Sequence, residues 1–234
     1  MISMAVISLG NFDSFFEQPS TGVLGTGESA EPWEFSRSEK ARGLAVKQLT
    51  LNEGFQSFLT RLLRKTSDFY FLSWAWDLSG SPPFLYPGDK APASLLQLRD
   101  NQTREFIGEG ALLFPARPVT AGLAFRMQLW ESKQNTRDFG ETMKTVSDAV
   151  INSELTQLIA GLAAVTSVPG ATVTLIAEAA AELGGLIGKI LAKQGDEYAD
   201  FFEGYFSATA DWPPGEGRYR GQASEIVLTR MTDG

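Results

Sequence analysis

The chain has 234 residues, 43% hydrophobic and 21% charged, an ordinary globular composition that excludes a disordered or fibrous protein. It holds neither cysteine nor histidine, which removes disulfides, zinc fingers, thiolate nucleophiles, imidazole ligation of haem and every Ser-His or Cys-His mechanism. Its 20 basic and 28 acidic residues leave a net charge of −8. That balance argues against nucleic acid as a partner, because phosphate-backbone affinity requires clustered Lys and Arg.

Met1–Leu9 is apolar, but no Lys or Arg precedes Arg37, and Gly10-Asn11-Phe12-Asp13 follows in place of a small-residue cleavage site. It predicts a first β-strand rather than a secretory leader, with the cytoplasm as the default location. Residues 1–36 carry acids only, and 37–65 reverse the sign with seven bases. Within that basic stretch Thr50-Leu51-Asn52-Glu53 has capping-box spacing, which predicts a helix start at Thr50. Phe55, Phe58, Leu59, Leu62 and Leu63 then share one helical face, with Arg61, Arg64 and Lys65 near the C-terminal end.

Residues 69–78, Phe-Tyr-Phe-Leu-Ser-Trp-Ala-Trp-Asp-Leu, are bounded by Gly80 and Pro82-Pro83 and read as a buried strand. Further strands are expected at Ser94–Leu98, Ala111–Phe114, Gly122–Trp130, Tyr205–Ala210 and Ser224–Met231. From Phe139 to Lys193 apolar residues recur at three- and four-residue steps, with a break near Asn152-Ser153 and Val168-Pro169-Gly170 between two arms. This predicts a helical hairpin over 139–194, inserted in a single domain of residues 1–234, with Gly195 as the C-cap. Asp196–Glu203 reads as a helix-to-strand loop, and Gly215–Gly221 as a turn before the last strand. The expected class is α+β: an antiparallel β-sandwich of seven or eight strands with an early amphipathic helix and the long hairpin.

No charge occurs from Leu155 through Ala177, but the Thr residues and Pro169-Gly170 interrupt the run, so neither arm reaches the ~20 apolar residues of a membrane span. Closely packed helices, a partner or self-assembly surface and a lipid-inserting hairpin are the three readings of it.

Leu123–Trp130 followed by Glu131, Asp138, Phe139 and Gly140 resembles the C2-domain pattern, in which an apolar strand leads into acidic loop residues. The resemblance covers about nineteen residues and implies a sandwich more than an activity, in a family whose acidic loops often bind calcium and anionic lipid. Where the family has an Asp-x-Asp pair, this chain has Glu131-Ser132-Lys133, and Lys133 repels a cation. Candidate calcium ligands remain Glu131 and Asp138 on the resemblance, with Asp68 and Asp77 at the ends of the aromatic strand and Asp89 in Pro87-Gly88-Asp89 as other acids that could supply oxygen ligands. Candidate partner- or lipid-binding residues are Arg61, Arg64 and Lys65 on the basic helix edge and Trp33 and Trp212 in Pro-flanked loops.

No nucleotide-binding glycine loop is present: Gly22–Gly27 lacks the Gly-Lys-Ser/Thr ending, and Gly215–Gly221 sets an acid where pyrophosphate would approach. An acid-only hydrolase would need two opposed carboxylates, with Glu131 beside Trp130 as the candidate, but 28 acids make some such pair inevitable. No catalytic residue is assigned. The sequence points to a non-enzymatic interaction or assembly module without a cofactor, engaging a protein partner or a second copy. An anionic membrane is the alternative partner.

Overall fold

The computed structural model describes residues 41–52, 67–77, 83–87, 96–99, 101–119, 122–132, 136–153, 182–207, 214–221 and 223–232. Among the described residues ten strands and two helical segments follow in chain order. They are β1 (Ala41–Leu51), β2 (Ser67–Asp77), β3 (Phe84–Tyr86), β4 (Leu96–Leu98), β5 (Thr103–Glu105), β6 (Ala111–Pro118) and β7 (Gly122–Ser132). Helix α1 (Thr136–Ile151) and the helical residues 182–193, here α2, lead into β8 (Glu197–Ser207), β9 (Gly215–Arg220) and β10 (Ser224–Met231).

All pairings are antiparallel, and the strands divide into two sheets. In one, β5 and β6 follow each other along one edge of β1, and β10 and then β9 lie on its other side. In the second, β3 and β4 share one edge of β2, with β7 and then β8 beyond it. Each sheet is thus four strands wide with one split edge strand. Leu44, Val46, Leu49, Leu51, Ile226 and Leu228 of the first sheet face Phe69, Phe71, Phe125, Met127, Leu129 and Phe202 of the second in one continuous core. That is the interior of a sandwich.

The second sheet is buried on its other face as well. Across β2, β7 and β8 the register sets Tyr70, Trp130 and Tyr198 in one row, Leu72, Gln128 and Phe201 in the next, and Trp74, Arg126 and Glu203 in a third. Seven of these nine are fully buried, Tyr198 and Glu203 being the half-buried pair at the β8 edge. Two covered faces explain why β2 and β7 read as continuous apolar runs rather than alternating ones. Helix α1 likewise hides Met143, Val146 and Val150 and exposes Glu141, Lys144 and Asp148.

The fold corrects several sequence expectations. Thr50 does not start a helix. It lies within β1, one residue from its end, and its hydroxyl is spent on the Thr103 hydroxyl of β5 at 2.8 Å, a cross-strand pair in place of an N-cap. Residues 196–203 are not a loop, since β8 starts at Glu197 rather than Tyr205. Gly215–Arg220 is an edge strand, β9, and not a turn. The strands β1, β3 and β5 were not expected at all.

Helix α1 ends where the break was expected: the Asn152 amide and side-chain NH2 both donate to the Asp148 carbonyl. At the end of α2, Gly195 has φ +85°, its amide donates to the Ala192 carbonyl, and the Asp196 amide donates to Leu191. This is a Schellman C-cap, which places the next residue, Asp196, at a fixed point over the second sheet. Met1–Leu9, the expected early helix from Glu53 onward, and the charge-free run of the hairpin lie outside the described residues. No helix among the described residues is long and apolar enough to cross a membrane.

Candidate functional site

The buried polar groups are best understood from one β-bulge. Leu129 pairs with Asp200 but Trp130 pairs with Tyr198, so Ala199 is an extra residue in β8. The bulge lets Asp200 point into the sandwich while Tyr198, two residues earlier, points to the opposite face.

Inside, Asp200 ties the sheets together. Its Oδ2 accepts hydrogen bonds from the Ala223 amide at 3.0 Å, the Ser224 amide at 2.9 Å and the Ser224 hydroxyl at 2.9 Å, while Oδ1 accepts from the Phe201 amide at 2.9 Å. Residues 223 and 224 open β10 in the other sheet, so one carboxylate spans the sandwich. Burial pushes this carboxyl above its ordinary range, and the four donors pull it down. Gly221 packs so closely that a Cβ there would stand 2.1 Å from Asp200 Oδ2. Asn52, just after β1, completes the corner: its amide donates to the Ala223 carbonyl and its side chain to the carbonyls of Gly221 and Ser224.

On the other face, Arg126 is fully buried in β7, paired with Glu203 at 2.9 Å and stacked over the Phe201 ring at 4.6 Å. Burial lowers the arginine's pKa, and Glu203 opposes the shift. Trp130 meets Tyr198 edge-on, with ring centroids 5.4 Å apart, and Tyr70 donates to Asp196 Oδ2 at 2.6 Å. Burial raises the Tyr70 hydroxyl first, and Asp196 adds to it; burial likewise raises Tyr198, with Arg126 opposing.

These shifts carry a testable sign. Tyr70, Tyr86, Tyr198 and Tyr219, four of the five tyrosines, are all raised chiefly by burial. A raised folded-state pKa contributes stability that is complete below the unfolded value near ~10 and is lost as pH rises above it. Absorbance titration of the folded chain is expected to show most tyrosines neutral beyond pH ~10, ionising together with alkaline unfolding. Full ionisation of a folded chain near that pH would contradict the buried rows.

Two features face outward. Phe106 meets Phe71 of the core edge-on at 5.8 Å, and its amide donates to the Lys47 carbonyl at 2.9 Å. Lys47 sits at a register shift between β1 and β10, and its ammonium donates to the Gly108 carbonyl. Between these anchors Ile107 is 97% exposed, the most exposed large apolar side chain among the described residues. At the opposite edge of the same sheet, β9 exposes Glu216, Arg218 and Arg220, and Arg218 pairs with Glu225 of β10.

The sequence candidates are distributed otherwise. Asp68 and Asp77 lie at opposite ends of β2, nine residues or about 30 Å apart. Asp68 is half-buried opposite Ser132, while Asp77 is buried and ion-paired with Arg117 at 3.9 Å. Glu131 neighbours Phe69 and Glu197 and therefore points to the other face of the sheet from Asp68. Asp138 falls on helix α1. Asp68, Asp77 and Glu131 are not brought together, and among the described residues no three metal-ligating side chains are grouped. Asp89, Arg61, Arg64, Lys65, Trp33 and Trp212 lie outside the described residues.

Sequence reasoning passed over Asp200, Asn52, Ser224, Arg126, Glu203 and Ile107. Arg126 and Gln128 did carry a signal, since polar residues inside an otherwise apolar strand must find partners.

No protein-family model matches the sequence, and no curated protein matches it. Among solved structures the chain is similar to human GIVD cytosolic phospholipase A2, determined in complex with methyl gamma-linolenyl fluorophosphonate and terbium chloride. The match has a TM-score of 0.35 and 7% identity and covers 85% of this chain. The chain spans 18% of that protein's length, and a likeness this slight carries no argument about activity.

Proposed function

We propose that the chain is a non-enzymatic interaction or assembly module built on its β-sandwich. The observation that carries this reading is the Ile107 loop: a fully exposed isoleucine held between a core-anchored Phe106 and a lysine-bound Gly108. An apolar side chain presented from a fixed backbone loses little freedom on docking, which is the economy of a binding anchor. The ionisable groups packed within the fold support the reading from the other side. Asp196, Asp200, Arg126 and Glu203 spend their polar atoms joining strands and sheets. The C2-like form of that sandwich belongs to the same proposal, and two antiparallel sheets, each four strands wide, support it.

A photoreactive amino acid in place of Ile107 tests it, with the same label at exposed Glu182 as control. Irradiation in the chain's own cells is expected to give one discrete protein adduct from position 107 and none from 182. Lipid adducts, together with pelleting on anionic vesicles, would transfer the reading to a membrane-engaging protein. Ile107→Asp is expected to leave stability within about 0.5 kcal/mol of wild type, because the residue touches no core.

A further inference from the structure

The four sheet edges are not equivalent. The β5/β6 edge is split by the Ile107 loop and carries Pro115 and Pro118, which lack the amide that an added strand needs. The β3/β4 edge is divided into two three-residue pieces. β8 is long but carries Glu197, Asp200 and Glu203 and no base, so a second β8 would offer it no counter-charge. β9 is continuous, contains no proline and carries both signs, with Glu216, Arg218 and Arg220 exposed on one face. Among the described residues no strand pairs with its outer edge. Half of its amides and carbonyls point away from β10, as in any antiparallel ladder.

We propose that a second copy of this chain adds to the outer edge of β9, antiparallel and centred on Gly217, so that the sheet continues across a two-fold axis. The inference deepens the assembly reading and rests on it.

Charge selects the register. Residues directly opposite across an antiparallel pair share a face, so Glu216, Arg218 and Arg220 can oppose only one another or Pro214. Centred on Gly217, Glu216 of each copy lies opposite Arg218 of the other, giving two attractive pairs and no like-charge pair. Shifting the centre to Arg218 keeps two attractive pairs, Glu216 with Arg220, but sets Arg218 against Arg218 at the axis, and shifting it to Glu216 sets glutamate against glutamate and leaves Arg218 facing Pro214. Either shift opposes like charges at the axis, which is destabilising. Arg218 already contacts Glu225 through Nη1, and its fork of five donors has capacity for a second carboxylate. The contact is isologous and closes on itself, so it yields a dimer rather than a filament.

Light scattering on the full chain after size exclusion tests the proposal. The wild type is expected to be a dimer that weakens with salt. Glu216→Arg faces arginine with arginine, and Arg218→Glu faces glutamate with glutamate. Each alone is expected to raise the dissociation constant about tenfold or more. Mixing the two single variants restores both opposite-charge pairs, so the mixture is expected to regain dimer mass, as is the double variant. A misfolded variant could not be rescued by mixing, which separates recognition from stability. A wild type that dimerises and stays dimeric in both single variants overturns β9 as the surface and leaves the assembly reading standing. A mixture that stays monomeric overturns the Gly217-centred register. A monomeric wild type overturns the homodimer, and the adduct at position 107 then decides the broader reading.

Discussion

Asp200→Ala is expected to destabilise the chain by about 3–5 kcal/mol, a large part of the whole stability of a domain this size. The substitution strands four donors at once: the amides of Phe201, Ala223 and Ser224 and the Ser224 hydroxyl. Each buried donor left without an acceptor costs about 1–3 kcal/mol, and partial relaxation keeps the total below the plain sum. The carboxylate also joins the edge strand of one sheet to the first residues of β10 in the other, so its loss weakens the contact between layers. Urea unfolding followed by tryptophan fluorescence measures the change as a shift in midpoint. Ser224→Ala removes one donor together with its need and should cost about 1 kcal/mol. Gly221→Ala, which drives a methyl into Asp200 Oδ2, should cost about 2–3 kcal/mol through displacement of the same carboxylate. An Asp200→Ala protein with the wild-type midpoint would remove the inter-sheet tie as a stabilising element.

The second large effect concerns Arg126 and Glu203. Glu203→Leu leaves a guanidinium that is only 2% exposed without the half-buried carboxylate that pairs with it, and stranding a buried charge in this way is expected to cost about 3 kcal/mol. Replacing both, as Arg126→Met with Glu203→Leu, substitutes apolar groups of similar length over the Phe201 ring and should recover most of that loss. The two singles and the double form a cycle whose coupling energy is expected to be about 2 kcal/mol or more. If the single losses simply add, the pair is not a coupled unit. The comparison matters for function because an ion pair whose replacement by apolar groups leaves folding and assembly intact has a structural role alone.

How much of this was legible in the sequence depends on whether periodicity survived. The aromatic strand at 69–77, the strands beginning at Ala111 and Gly122, and Ser224–Met231 are local apolar runs, and the fold contains all of them. Helix α1 and its stop at Asn152-Ser153 follow from three- and four-residue spacing, and Gly195 from its place after the last helical turn. β1 escaped because the register shift at Lys47 moves its core residues from even positions, Leu44 and Val46, to odd ones, Leu49 and Leu51. A bulge erases the period of two on which strand recognition depends. β8 escaped for a similar reason: the extra Ala199 puts Tyr198 and Asp200 on opposite faces, so acids alternating with aromatics read as a loop. Thr50 was misread because its capping hydroxyl has a competitor, Thr103, more than fifty residues away.

What the sequence determined by itself is therefore the class of the protein and the chemistry closed to it. Composition removed thiol and imidazole mechanisms, and local patterning made a sandwich with added helices the economical solution for so many short apolar runs. Only the tertiary structure decided where the polar residues meet. Asp200 and Ser224 are twenty-four positions apart and Tyr70 and Asp196 a hundred and twenty-six, and such pairs form only once the strands have paired and stacked. Which edge of a sheet remains available for another chain is decided in the same way. It is a property of strand order, and strand order is set by long-range pairing that no local window of sequence contains.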